Sequence, residues 1–484
     1  MTQVWIPLCA LLVGCGRDDN KAEKPAPLVQ DTGSLEESYV PENHNPLEVS
    51  SVGSDVVPTV LFVSWSGDLG RGQVEYGLTE DLGLASPMTE MSEDHEQAVL
   101  GLKAGYPYFW RVSHTHEDGT VATSAMKIWE VPEPPEAFDA YEVVTNDLAR
   151  SEVAGAFLVI SQNDDETGYA AIIDGDAELV WWAEAEPDQR ITRSRLTLDG
   201  RGVMWSSYER GLKTSNGYIH RLDLDGRHRT KTRALNQHHD FIEKPDGLLA
   251  FPSFEFEIHD VDNTSMNVAS DVIRLAPEGY AEEEEYDRNF AYFADYPAPP
   301  WFTCSHMELE GAFVLGYNEW SHTNSIAYEP TEDVFYILPR FFDALLKIDA
   351  TSGALIWQLG GIYGDFTSDE GGDLLQHSHF SHVWPGGVLL FDNGNHADDA
   401  TSTIEYSWDE ATMTVEKTWE YIRPSGGFTG HLGDARRLPG GNTLINYSPS
   451  GQLREVTPDG DVVWKAITEV TTGRVIHVED LYGG

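Results

Sequence analysis

From about Tyr141 to the end of the chain, short apolar runs alternate with turn residues in one recurring order. Each unit reads as a strand, a Pro/Asp-Gly turn, a second and a third strand, a second Asp-Gly-type turn, and a fourth strand that often closes on Trp. It is plainest in Ala435-Arg436-Arg437-Leu438, Pro439-Gly440-Gly441-Asn442, Thr443-Leu444-Ile445-Asn446, Leu453-Arg454-Glu455-Val456, Pro458-Asp459-Gly460 and Val462-Val463-Trp464. Parts of the same order recur in Leu346-Lys347-Ile348-Asp349, Ser352-Gly353 and Leu355-Ile356-Trp357, and in Ile219-His220-Arg221-Leu222-Asp223 with Asp225-Gly226. The first turn of the unit falls at Asp199-Gly200, Asp246-Gly247, Glu332-Asp333, Pro385-Gly386 and Pro439-Gly440, a period of about 40 to 55 residues. An incomplete earlier unit, Gly168 to Trp182, brings the count to about six. Four strands at that period make a propeller blade. The pattern predicts an all-β chain whose residues 140–484 form a six-bladed β-propeller.

The preceding stretch, residues 46–131, has alternating strands without this repeat, such as Thr59-Val60-Leu61-Phe62-Val63-Ser64-Trp65 and Phe109-Trp110-Arg111-Val112. It resembles a small fibronectin type III-like β-sandwich, and the Leu102, Gly105, Tyr108 spacing resembles that architecture's tyrosine corner. Pro132 to Pro135 reads as the linker to the propeller. At the other end, Val4 to Gly14 is apolar but too short to span a membrane. It ends in Leu12-Val13-Gly14-Cys15, similar to a bacterial lipoprotein cleavage box with Cys15 as the lipidated residue. Gly16, rather than Asp, follows the cysteine, so the resemblance implies the outer membrane. Residues 16–45 are polar and read as a disordered tether. The remaining cysteine, Cys304, stands alone once Cys9 and Cys15 are set aside, so no intrachain disulfide is expected.

Composition narrows the partners. With 31 Lys+Arg against 81 Asp+Glu, the formal net charge is −50. Such a surface repels nucleic acid, which is excluded as a partner, and membrane contact is expected only through the lipid. An anionic substrate would need a local basic cluster.

The histidines supply one. His239 lies 8 residues before Gly247, His322 lies 11 before Asp333, His377 lies 9 before Gly386, and His431 lies 9 before Gly440. They occupy nearly one phase of four successive units, at the start of the first strand. First strands line the propeller channel and run the same way, so these imidazoles are expected at one mouth. Arg340, at the end of the strand Val334 to Leu338, is expected beside His322 because antiparallel pairing returns it there. His377, His379 and His382 form an H-x-H-x-x-H run; on a strand the first two would share a face and His382 would point away. Neutral imidazoles could ligate a metal, but a guanidinium fork suits the oxygens of a sulfate or phosphate group better.

Gln237-His238-His239-Asp240, Trp320-Ser321-His322-Thr323-Asn324-Ser325-Ile326, Pro339-Arg340, Ile356-Trp357-Gln358-Leu359-Gly360-Gly361, Gln376-His377, Phe391-Asp392-Asn393-Gly394 and Leu438-Pro439-Gly440-Gly441-Asn442-Thr443-Leu444 together resemble the bacterial arylsulfate sulfotransferase family over roughly residues 140 to 475. The resemblance implies a six-bladed propeller that moves a sulfuryl group from an aryl sulfate to a phenol through a sulfohistidine, with no nucleotide donor and no cofactor. It implies His239, His322, Arg340 and His377 as catalytic residues, with His377 the nucleophile and His379 close enough to compete. The chain departs from the family in lacking a stapling cysteine pair, in its extra sandwich and in its acidity. A non-catalytic tethered scaffold and a metal-dependent hydrolase or lyase are the alternatives, and the acidic insertion Glu282 to Asp287 could lid the mouth.

Overall fold

The computed structural model describes residues 47–483, apart from 165, 211–212, 262–263, 282–287, 291–312, 315–316, 370 and 397–399. Cys9, Cys15, Cys304, the tether 16–45 and the segment 282–287 lie outside the described residues.

Six small sheets form a six-bladed β-propeller, as the repeat implies. Blade 2 runs through Gln189–Leu196, Gly202–Glu209, Lys213–Asp223 and Arg229–Arg233, each strand antiparallel to the next. Blades 3, 4, 5 and 6 begin with the inner strands Ile242–Glu243, Thr323–Glu329, Phe380–Trp384 and Asp434–Arg437. In each case the turn read from sequence joins the inner strand to the second one. Continuous apolar runs mark the second strands: in Gly387–Asp392 and Val334–Pro339 every residue is buried, because both faces of a blade pack against neighbouring blades.

Blade 1 is built differently from the sequence expectation. Its strands Phe157–Asn163, Gly168–Asp174 and Leu179–Glu184 lack an inner strand of their own. The C-terminal segments Thr471–Thr472 and Ile476–Val478 supply it by pairing with Phe157–Asn163. At the opposite edge, Glu142–Asn146 adds a fifth strand to blade 6 by pairing with Val462–Ile467. Both ends of the propeller chain therefore close the ring, and the closing strand brings Arg474 to the axis.

Residues 49–130 form a seven-stranded sheet around the long strand Leu61–Gly77. Its first half pairs with Val49–Gly53 and Ser92–Val99, and its second half with Leu84–Ala85 and Pro107–His116. The backbone N–H of Lys103 donates to Tyr108 Oη at 3.2 Å, tying the corner before Pro107–His116. This module does not hang from its proline linker. Val57, Val60, Phe62 and Leu100 share one apolar cluster with Val159, Trp181, Trp205 and Leu222 of blades 1 and 2. Thr59 Oγ1 donates to the Val180 carbonyl at 2.6 Å, and Lys103 Nζ lies 2.9 Å from Asp174. Buried apolar contact fixes the module against the propeller more firmly than the linker composition alone suggests.

Candidate active site at the propeller mouth

His239, His322 and His377 each hold a left-handed backbone, with φ of 58°, 55° and 59°. In blade 6 the residue in that conformation is Leu432 (φ 57°), so His431 sits one position off the shared phase. A non-glycine residue in this region costs of order 1–3 kcal/mol and persists only where the surroundings hold it. Three blades accept that cost with histidine, and it turns the chain sharply just before each inner strand.

A cavity of about 340 Å³ at the mouth is lined by His238, His239, His322, His379, His431 and Arg474, among others. The His239 ring centroid lies 4.6 Å from that of His322 and 5.6 Å from that of His379. Behind His239 stands a buried relay: His239 Nδ1 is 2.8 Å from His238 Nδ1, and His238 Nε2 is 3.0 Å from Asp271 Oδ1. His322 Nδ1 lies 2.9 Å from Glu319 Oε2, and its ring is 5.3 Å from Phe341. His379 Nδ1 is 3.1 Å from the Gly433 carbonyl, which fixes that nitrogen as the protonated one and leaves Nε2 with its lone pair.

Arg340 stands beside His322: its backbone N–H donates to the His322 carbonyl at 2.9 Å. Its guanidinium lies 5.7 Å from the Phe341 ring centroid, and its charge helps to lower His377, His379 and His431. His377 takes a different direction from His379. Its backbone N–H donates to Asp343 Oδ1 at 2.7 Å, and its ring lies 5.2 Å from that of His396. The two do not share a face as the strand reading supposed, because the inner strand starts only at Phe380 and the left-handed turn at His377 breaks the alternation. His382 does point away, accepting from the Arg437 backbone N–H at 3.2 Å.

Three more buried groups, Arg474, Arg193 and Asp240, were given no role by the sequence reading. Arg474 Nη1 donates to Asp240 Oδ2 at 2.7 Å, and Nη2 donates to the carbonyls of Asn324 and of His379, the latter at 3.3 Å. Arg193 Nε lies 3.0 Å from Asp240 Oδ1. One carboxylate thus links blades 2 and 3 and the closing strand at the axis. Asp240 stood next to a quoted histidine. Arg474 carried no signal, since it belongs to a strand whose blade lies at the other end of the sequence.

Burial keeps His239, His379 and His377 neutral. Burial, then the positive potential of His322, His238, His379 and Arg474, holds His239 well below the usual histidine range. Burial and Arg474 do the same to His379, against the pull of the Gly433 carbonyl. Burial lowers His377 to about 4 despite Asp343. Neutral imidazoles with open lone pairs, next to fixed guanidiniums, make a site that can attack and bind an oxyanion together.

The fold and mouth define a six-bladed propeller whose axis gathers histidines and arginines in one pocket of an acidic protein. The sequence matches the model of the arylsulfotransferase (ASST) family over residues 142–478, and the chain belongs to that family. No curated protein is similar enough in sequence to count as a relative. Among solved structures, a Bacteroides caccae protein of unknown function is 12% identical with a TM-score of 0.40, covering 67% of this chain and 100% of its own. A putative 6-phosphogluconolactonase from Bacteroides uniformis is 13% identical with a TM-score of 0.34, covering 85% of this chain and 100% of its own. The hydrazine synthase of Kuenenia stuttgartiensis is 10% identical with a TM-score of 0.34, covering 64% of this chain and 78% of its own. Likeness this low carries no functional argument.

Proposed function

We propose that the mouth cavity transfers a sulfuryl group from an aryl sulfate to a phenolic acceptor, through a covalent sulfohistidine at His379. Family membership supports aryl sulfotransfer in general. One geometric observation carries the finer reading: His379 lines the cavity opposite His239, with Nδ1–H anchored on a carbonyl and Nε2 left to attack. His377, the residue implied by the Gln-His motif, is turned toward Asp343 and His396 instead.

His379 Nε2 attacks sulfur, an N–S bond forms, and the S–O(aryl) bond breaks to release a phenolate. Arg340, His322 and Arg474 surround the sulfuryl oxygens and spread their charge. His239 Nε2–H protonates the leaving oxygen. His239 then recovers a proton at Nδ1 from the hydrogen-bonded His238–Asp271 pair. In the second half the acceptor phenol gives its proton to His239 Nε2, the relay runs backwards, and the acceptor oxygen displaces His379 from sulfur. The whole enzyme is proposed as a lipoprotein of the outer membrane, anchored at Cys15, with the N-terminal sandwich a fibronectin type III-like spacer docked on blades 1 and 2.

Release of 4-nitrophenol from 4-nitrophenyl sulfate, with and without added phenol, tests the reaction. Phenol-dependent release is expected, with the sulfuryl label mapping to the peptide containing His379. His379→Asn is expected to abolish transfer, and His377→Asn to retain it. Full transfer by His379→Asn would refute the assignment.

A further inference from the structure

A second cluster of ligating side chains lies beside this cavity, across Phe341. Asp343 follows the turn that carries Arg340, His377 precedes the inner strand of blade 5, and His396 sits in the loop after Gly387–Asp392. One ligand atom from each of the three lies within 4.8 Å of the others.

Three features distinguish this trio from an ordinary buried ion pair. His377 is only 8% exposed, yet neither of its ring nitrogens has a hydrogen-bond partner, and Nε2 is 3.8 Å from Asp343 Oδ1. A buried imidazole without partners is costly and calls for a ligand. His396 Nε2 is hydrogen-bonded to Asp343 Oδ2 at 2.9 Å, which holds both atoms near enough to share one ion in place of the proton. Finally, His396 Nδ1 is 3.0 Å from Asp373 Oδ2, so a carboxylate already orients the ring from behind, as in the carboxylate–histidine–metal arrangement. Asp343 and Asp373 place negative charge beside His396, and buried Asp392 lies within electrostatic reach of Asp343 and His396; the Arg340 guanidinium opposes them at His377.

We propose that Asp343, His377 and His396 bind one divalent transition-metal ion of the zinc class, with Asp373 as the outer carboxylate that orients His396. Two imidazoles and one carboxylate match zinc, cobalt or nickel and fit magnesium or calcium poorly. Three protein ligands leave a fourth position for water. The ion would pin the His396 loop to the start of blade 5 and to the turn behind Phe341, bracing that wall of the cavity. The site stands apart from the sulfuryl-transfer reading except that it assigns His377 as a ligand rather than the nucleophile.

The test uses the full chain, stripped of metal and titrated with Co²⁺ and then Zn²⁺, followed by calorimetry and by the visible ligand-field bands of cobalt. One equivalent is expected to bind, with zinc displacing cobalt. His396→Ala is expected to abolish stoichiometric binding. Asp373→Asn, whose side chain is 51% exposed and safe for folding, is expected to weaken it roughly 10- to 100-fold. His379→Asn is expected to leave binding unchanged. Absence of saturable binding, binding unaffected by both His396→Ala and Asp373→Asn, or loss in His379→Asn alone would overturn the proposal. Because the readout is metal binding, its failure is separate from failure of phenol-dependent transfer.

Discussion

Replacing Asp240 by Asn should unfold the propeller far more readily than loss of one hydrogen bond would. Asp240 is 1% exposed and lies against Arg474 at 2.7 Å and Arg193 at 3.0 Å. Its oxygens also accept from the backbone N–H groups of Phe241 at 2.9 Å and Ile326 at 3.2 Å. Asparagine keeps the shape and part of the hydrogen bonding, so no cavity confuses the result. What it removes is the negative charge between two guanidiniums that stay buried. Loss of a neutral hydrogen bond costs about 1 kcal/mol, whereas breaking a buried ion pair from one side costs about 3–5 kcal/mol. The larger figure should win, because Arg474 and Arg193 are only 4% and 3% exposed and cannot reach water. Urea unfolding of the full chain, followed by fluorescence of the buried Trp181, Trp205 and Trp464, measures the loss. Asp240→Asn combined with Arg474→Met should recover part of it, since one of the two stranded charges is then gone while Arg193 remains. The pH dependence carries a sign. Burial would raise the Asp240 carboxyl, but Arg474, Arg193 and Arg195 outweigh burial and hold it below its ordinary value. Its stabilisation is therefore complete above the unfolded value of about 3.9 and is lost as pH falls through the folded one. A loss of less than about 1 kcal/mol at pH 7 would refute the view of Asp240 as the axial counter-ion.

Further outcomes follow from the same geometry. Asp271→Asn should lower kcat roughly a hundredfold with KM little changed, and should shift the acid limb of the kcat–pH profile; an unshifted profile would leave His238 a packing residue. Stability should fall as pH drops from about 6.5 toward 4, with each buried neutral histidine adding up to about 1.4 kcal/mol per pH unit. Burial lowers His220 and His382 to about 3 and His377 to about 4, so their folded values lie below the unfolded one and the unfolded chain takes up protons first. Replacing His382 with Gln should flatten that slope in urea titrations at stepped pH. Tyr108→Phe should cost about 1 kcal/mol in thermal unfolding, because the Lys103 N–H loses its partner at the corner.

Turn and strand patterning alone set the blades and the phase of the site. Alternation and turn chemistry are local properties, so the turns at Asp199-Gly200, Asp246-Gly247 and Pro439-Gly440 could be placed without knowing what packs against them. The repeat then forced His239 and His322 toward one mouth, and antiparallel pairing returned Arg340 to His322. Other features needed the closed ring. Arg474 meets Asp240 because the C-terminal segment completes blade 1, a pairing between opposite ends of the chain that no local pattern encodes. His377 and His379 diverge because a left-handed turn, held by the Asp343 contact, interrupts the strand before Phe380. The relay from Asp271 through His238 to His239 depends on a hairpin folding back 33 residues later, so its carboxylate could be seen only in three dimensions. Local sequence fixes which way a side chain can turn, while long-range packing decides what it meets there.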